Sequence, residues 1–284
     1  MTARETLNEA RVFLRDAGIE SYDIDAALLL AKVLNTDRTR LFLDAENDVK
    51  QRDYETYQEL LERRANRECV ACITNSKEFR FLDFYVDKNA LVPRPDTETL
   101  VEAVLRRIDE VAETKKDISV LDLCTGSGAI AVSLKHERPF IEMHASDISE
   151  AALAVAKKNA KRFIPREGVN FILSDVFENI HRRFDMIVAN APYIPSGLIE
   201  TLQDEARNEP VIALDGGADG LEIIRRVISG AAACLLPEGC VFLEADPGQT
   251  GEIARLFESA GFCGVEIIRD LSGANRVTEA RLPL

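Results

Sequence analysis

The chain has 284 residues, 46% of them apolar, a formal net charge of −14, and no apolar run of the roughly 18 residues that a membrane-spanning helix needs. Length and composition allow one large domain or two smaller ones with a sizeable core, and the acidity argues against general affinity for nucleic-acid backbone, which needs clustered Lys and Arg. The charged, amphipathic start, MTARETLNEARVFLRDAG, has no signal-peptide core, so a cytoplasmic protein is expected.

Thr2 is placed to cap a first helix carrying Leu7, Ala10, Leu14 and Ala17 and ended by Gly18. Residues 22–34 hold apolar side chains at helical spacing, followed by the short RTRLFLD and a long polar helix over 49–65. Residues 1–75 therefore read as a small helical bundle. Cys69 and Cys72 are the only two of the six cysteines with a suggestive spacing. A zinc site would need a second ligand pair, and a redox CxxC opens a helix, whereas ITNSKEF after Cys72 reads as extended chain. No metal is expected. From 78 to 95 the period changes to two, which predicts a hairpin turning at Asp87-Lys88-Asn89 within a connector, 76–96.

Over 97–284 strands and helices alternate. Strands are expected at 119–123, 141–146, 170–174, 185–189, 240–245, 265–269 and 276–281, and helices at 97–111, 128–135, 150–162, 221–236 and 250–259. Alternation of this kind means an α/β fold with a mostly parallel sheet covered on both faces. The last two strands lack room for a crossover helix and should pair antiparallel.

Four strand ends carry chemistry. VLDLCTGSGAIAVSL, 120–134, is a strand, a glycine turn (Cys124, Thr125, Gly126, Ser127, Gly128) and a helix, which lets a ligand approach unshielded backbone N–H groups. The plain alternative is a tight connection packed by Cys124. The next strand ends in Asp147, placed either to accept ribose hydroxyl protons or to cap the following helix, a role open also to Ser149. The third ends in SDVF, where Asp175 can accept from an exocyclic amine and Val176 can face a base. The fourth runs into Asn190-Ala191-Pro192-Tyr193, an amide, a proline and a ring that no folding rule demands at the end of a buried strand. All four lie at the carboxyl ends of strands, where open α/β sheets bind ligands.

These motifs resemble class I S-adenosylmethionine-dependent methyltransferases, and more narrowly the release-factor glutamine methyltransferases, the PrmC/HemK family. The resemblance runs nearly end to end and includes LVPRPDTETLVE (91–102), LDLCTGSGAIAVSL, NAPYIP, EPVIALDGGADGL (209–221) and DLSGANRV (270–277). It implies a Rossmann-like seven-stranded methyltransferase sheet with an N-terminal helical bundle that docks the protein substrate and a β-hairpin connector. It also implies S-adenosylmethionine as cofactor, S-adenosylhomocysteine as product, and a peptide-chain release factor as partner, with no nucleic acid or membrane and a monomeric enzyme. The family usually has proline where Ala191 stands and glycine where Cys124 stands.

The cofactor would lie against residues 124–128, Asp147, Asp175, Val176 and Asn190. The Asn190 side-chain oxygen and the Ala191 backbone carbonyl would accept the two N–H groups of the acceptor amide, Tyr193 would lie against its plane, and Pro192 would fix the turn. Since Ala191 acts through its backbone, substitutions there are expected to be mild. Arg94 either orients substrate or cofactor or forms a surface salt bridge with Asp96 or Glu98. Thr97 reads as a helix cap. Alternatives to a release-factor substrate are a ribosomal-protein glutamine, a DNA or RNA base, and a non-catalytic cofactor-binding scaffold.

Overall fold

The structure is a computed structural model and describes residues 1–164 and 168–284. These form two compact units: Met1–Ser76 with Gln203–Asn208, and Lys77–Leu202 with Glu209–Leu284.

The first unit holds α1 (Ala3–Asp16), α2 (Tyr22–Val33), α3 (Arg38–Leu43), α4 (Gln51–Ala65) and α5 (Val70–Thr74). Thr2 closes a capping box with Glu5 at the start of α1. Leu7, Leu14, Leu30, Tyr57 and Leu61 share one core. Buried in this unit, Arg64 pairs with Asp25 and Glu205, each at 2.8 Å. Of ITNSKEF after Cys72, expected to be extended, Ile73 and Thr74 end the one-turn α5, and extended chain begins only at Lys77.

In the second unit β1 (Lys77–Phe79) and β2 (Leu82–Phe84) form the hairpin, but its turn is Arg80-Phe81 and not Asp87-Lys88-Asn89. Arg80 and Phe81 both have left-handed φ, 47° and 61°, as a two-residue hairpin turn of matching twist requires. Asp87 instead makes a local turn in which its side chain accepts from the Asn89 N–H at 2.9 Å.

There follow α6 (Thr97–Ala112), β3 (Ser119–Leu123), α7 (Ala129–Glu137), β4 (Glu142–Asp147), α8 (Glu150–Phe163), β5 (Val169–Leu173) and β6 (Phe184–Ala189). The short α9 (Asp204–Arg207) lies in the segment that belongs to the helical unit. Then come α10 (Glu222–Cys234), β7 (Leu235–Glu244), α11 (Thr250–Ser259), β8 (Cys263–Arg269) and β9 (Asn275–Arg281). The seven-stranded sheet has the order β5-β4-β3-β6-β7-β9-β8, parallel except for β9, which is antiparallel to both neighbours. Leu121, Ile187 and Val241 pack with Ile224 of α10 and Phe257 of α11 on one face. Strand order reverses between β3 and β6, so a crevice opens beyond their carboxyl ends.

Candidate active site

β3 runs into a turn in which alternate residues have left-handed φ: Cys124 at 56°, Gly126 at 54° and Gly128 at 80°. Glycine adopts this region freely, whereas the Cβ of Cys124 is strained there, which accounts for the family's preference for glycine at that position. A Cβ on Gly128 would sit 3.0 Å from the Ala156 Cβ, so glycine lets α7 and α8 approach. A Cβ on Gly126 would meet nothing nearer than 4.0 Å and would stand in the cavity that Gly126 lines. The Thr125 hydroxyl turns inward and donates to Asp122 Oδ2 at 2.6 Å. Burial pushes the Asp122 carboxyl up to about 7. The Ser127 carbonyl accepts from Asn159 Nδ2 at 2.9 Å. Thr125, Ser127 and Gly128 thus shape the turn, while Cys124 and Gly126 face the cavity.

That cavity, about 430 Å³, lies beyond the strand ends and is within the usual range for a small-molecule site. Asp147, Asp175, Val176, Asn190 and Pro192 also line it, as do residues 89–91 and 210–213, which carried no site role in the sequence although Leu91 and 210–213 lie in the segments LVPRPDTETLVE and EPVIALDGGADGL. Asp147 Oδ2 accepts from the Gly126 N–H at 2.8 Å and Oδ1 from the Ser149 N–H at 2.9 Å. Each oxygen keeps a lone pair for a further donor. Burial raises the Asp147 pKa, and these backbone bonds oppose the rise. Ser149 caps α8 by accepting from the Ala152 N–H at 3.1 Å. Asp175 is paired with Arg226 at 2.8 Å. Val176 is buried with φ 49°, an uncommon conformation for a β-branched side chain.

At the end of β6, Asn190 Nδ2 donates to Thr97 Oγ1 at 3.2 Å and to Glu244 Oε1 at 3.1 Å. Thr97, expected as a cap, makes no cap bond; its hydroxyl donates to Glu244 Oε1 at 3.2 Å and accepts from Asn190. Asp96 holds the cap position and Thr97 is the first residue of the helix, with its partners at the ends of β6 and β7. Glu244 is buried at the end of β7 and was missed from sequence. The signal was available in FLEADPGQ: an acid at the carboxyl end of a buried strand, the same feature that singled out Asp147. The methyl group of Ala191 is buried in the core with Val176 and Ile224, so larger side chains there would overpack, contrary to the mild effect expected. Tyr193 packs against the same core, and burial pushes its phenol up to about 12. Neither Ala191 nor Tyr193 lines the cavity wall.

Arg94 pairs with neither Asp96 nor Glu98. It donates to Glu209 Oε1 at 2.5 Å, while Glu209 Oε2 accepts from the Val92 N–H at 3.0 Å. Asp96 is held by Arg276 at 3.1 Å, which also meets Asp270 at 3.2 Å. The segments PRPDTE, EPVIALDGGADGL and DLSGANRV therefore meet around the Asn190 loop. The glycine-rich segment lies directly on that loop: Gly216 N–H donates to the Ile194 carbonyl at 2.8 Å, and Ile194 N–H to the Leu214 carbonyl at 3.0 Å. A Cβ on Gly220 would fall 2.2 Å from the Tyr193 carbonyl.

Fold and site together define a class I methyltransferase. Residues 5–74 match the PrmC N-terminal domain and residues 97–204 the methyltransferase small domain. The release factor glutamine methyltransferase of Geobacter sulfurreducens is 36% identical over 283 residues, 99% of this chain and 97% of that protein. That of Cereibacter sphaeroides is 38% identical over 284 residues, 100% of this chain and 99% of that protein. The chain belongs to the release factor glutamine methyltransferase family. Among solved structures, a methyltransferase from Pyrococcus furiosus shares the fold with TM-score 0.51 and 17% identity over 78% of this chain and 99% of that one. A T. thermophilus 16S rRNA methyltransferase in complex with AdoMet and guanosine does so with TM-score 0.53 and 22% identity over 73% of this chain and 49% of that one.

Proposed function

We propose that this protein transfers a methyl group from S-adenosylmethionine to the side-chain amide nitrogen (N5) of a glutamine in a peptide-chain release factor. The observation that carries this reading is the Asn190 loop on the cavity wall, in a chain similar end to end to release factor glutamine methyltransferases.

The cavity fits the cofactor. Asp147 keeps acceptor capacity for ribose hydroxyls, Gly126 leaves open the space a side chain would fill, and Asp175 and Val176 offer an acceptor and an apolar face to a base. Asp175 would serve the base while paired with Arg226. When bound, S-adenosylmethionine supplies an electrophilic methyl on a sulfonium.

The chain's own residues prepare the acceptor. A glutamine amide nitrogen is a weak nucleophile because its lone pair is delocalised into the carbonyl. Asn190 has both side-chain N–H groups engaged, so its free function is the Oδ1 acceptor. Oδ1 takes one acceptor N–H and the Ala191 carbonyl takes the other. Together they draw electron density toward nitrogen and hold it in line for attack on the methyl carbon; the carbon–sulfur bond would break to leave neutral S-adenosylhomocysteine, and the methylated amide would lose one N–H proton to water. Pro192 stiffens the loop; Tyr193, packed on the core and off the cavity wall, would lie against the amide plane only where the acceptor glutamine enters beside the loop; and Arg94, through Glu209, holds the PRPDTE segment beside it. The helical unit docks the release factor; the exposed Val12, Phe13, Ile24, Phe42 and Leu43 support that role. No helix among the described residues is long and apolar enough to cross a membrane. The reading includes a cytoplasmic, monomeric enzyme acting on protein and not nucleic acid, consistent with the net charge of −14.

The test is incubation with labelled cofactor and a panel of release factors, ribosomal proteins and DNA, with mass spectrometry to locate the methyl group. Methyl on a release-factor glutamine is expected, and Asn190→Ala should lower kcat about a hundredfold while changing cofactor affinity much less. Methyl on a ribosomal protein or DNA alone, or full turnover by Asn190→Ala, would overturn it.

A further inference from the structure

Building on that reading of Asn190, we infer that the buried Glu244 carboxylate, together with Thr97, decides which end of the Asn190 amide faces the acceptor glutamine, and that protonating Glu244 turns the amide round and stops methyl transfer. Glu244 and Thr97 are positioning residues: they act through Asn190 and not on the substrate.

The two ends of an asparagine amide are nearly equal in size, so their orientation follows from the partners each end finds. An ionised carboxylate only accepts. Glu244 Oε1 accepts from the Thr97 hydroxyl at 3.2 Å and from Asn190 Nδ2 at 3.1 Å. With its single proton given to Glu244, Thr97 Oγ1 can offer Asn190 only a lone pair, and it accepts from Nδ2 at 3.2 Å. Both partners therefore require N–H from Asn190 and leave Oδ1 for the acceptor amide.

A proton on Glu244 reverses this. Its other oxygen, Oε2, is buried and has no hydrogen-bond partner. A proton placed there would be a buried donor without an acceptor, which is costly. On Oε1 the proton finds an acceptor once Asn190 rotates and presents Oδ1 inward. The outward end is then NH2, which meets the NH2 of the glutamine donor to donor and cannot polarise it.

The groups around Glu244 place the change near neutral pH. Burial pushes its carboxyl up to about 7, against the opposing bond from Thr97, the charge of Arg276 and the bond from Asn190, while Asp96 adds to the rise. Tyr193 is a further titratable neighbour, and its phenol, pushed up to about 12 by burial, stays protonated in this range. Glu244 is ionised above this pKa, so activity should rise as pH increases through about 7.

The test uses the full-length protein, labelled S-adenosylmethionine and a purified release factor, with kcat, KM and cofactor affinity measured across neutral pH. The parent should show an acidic limb near 7. Glu244→Gln, whose amide cannot enforce one orientation, should lose that limb and about tenfold or more in kcat, with cofactor affinity within about twofold. Thr97→Val should show a similar fall in kcat, and Thr97→Ser, which keeps the hydroxyl, should restore most of it. Independently of turnover, the Asn190 side-chain amide signals in 15N NMR, identified by their loss in Asn190→Ala, should titrate with a midpoint near 7 in the parent. Parent-like kcat and an unchanged acidic limb in Glu244→Gln, or Asn190 signals that do not titrate, would overturn the inference. If Glu244→Gln does not fold, the Thr97 pair and the parent's amide titration decide. Parent-like turnover in Asn190→Ala would remove the reading beneath it; impaired Asn190→Ala beside parent-like Glu244→Gln and Thr97→Val would remove this inference alone.

Discussion

Cys124 stands at φ 56° in the turn that faces the cavity, and its thiol is packed against the main core. Burial, with Asp147 and Asp122 nearby, raises its pKa, so the sulfur is a protonated packing group and not a nucleophile. Left-handed backbone costs a non-glycine residue about 1–2 kcal/mol, and glycine gives back roughly 0.5–1 kcal/mol in chain entropy. Cys124→Gly should therefore stabilise the protein by up to about 1 kcal/mol in urea denaturation, whereas Cys124→Ala, which keeps the Cβ, should not. Equal stability of the two variants would show that the turn is unstrained at this position.

Among the elements, the segment after α9 does for the Asn190 loop what the β3 turn does for the cavity. Gly216 packs where a Cβ would come within 2.6 Å of the Gly220 carbonyl oxygen, 2.7 Å of the Pro192 carbonyl oxygen and 2.8 Å of the Tyr193 Cα. All three are backbone atoms and cannot rotate away, so Gly216→Ala must displace one loop or the other. It should cost about 1–3 kcal/mol of stability. It should also lower kcat more than cofactor affinity, because Asp147 and Gly126 sit on other strand ends. Calorimetric titration beside steady-state kinetics checks the split, and parent-like kcat in a folded Gly216→Ala would show that the glycine loop does not support the site.

At the scale of the whole molecule, the helical unit leaves Phe42 and Leu43 of α3 50% and 74% exposed. If this unit docks the release factor, replacing both by serine should raise KM for the intact release factor by about tenfold, since buried apolar anchors dominate interface energies. Cofactor affinity and folding stability should hardly change, because the two side chains are already in solvent. Methylation of a short glutamine peptide should be equally efficient in parent and double variant. An unchanged KM for the intact release factor would assign docking to another surface.

The order and type of the elements follow from local signals: the Thr2–Glu5 capping box spans four residues, the glycine turn five, and strands such as β3 and β6 are largely apolar runs. Strand-end chemistry was legible for the same reason, since Asp147 and Asn190 stand next to the runs that position them. The partners of those residues were not. Asn190 meets Glu244 across 54 positions and Thr97 across 93, and Arg64 meets Glu205 across 141. Such pairs depend on β6 lying between β3 and β7 and on a loop returning to the helical unit. A threonine at a helix start looks the same in sequence whether it caps the helix or reaches across the sheet. The hairpin turn was missed because Arg80 and Phe81 adopt left-handed φ without the glycine or asparagine that marks it, while Asp87-Lys88-Asn89 carries the mark and makes only a local turn. Local steric and hydrogen-bond preferences are written residue by residue, but the direction of a buried polar side chain is decided by which strands become neighbours.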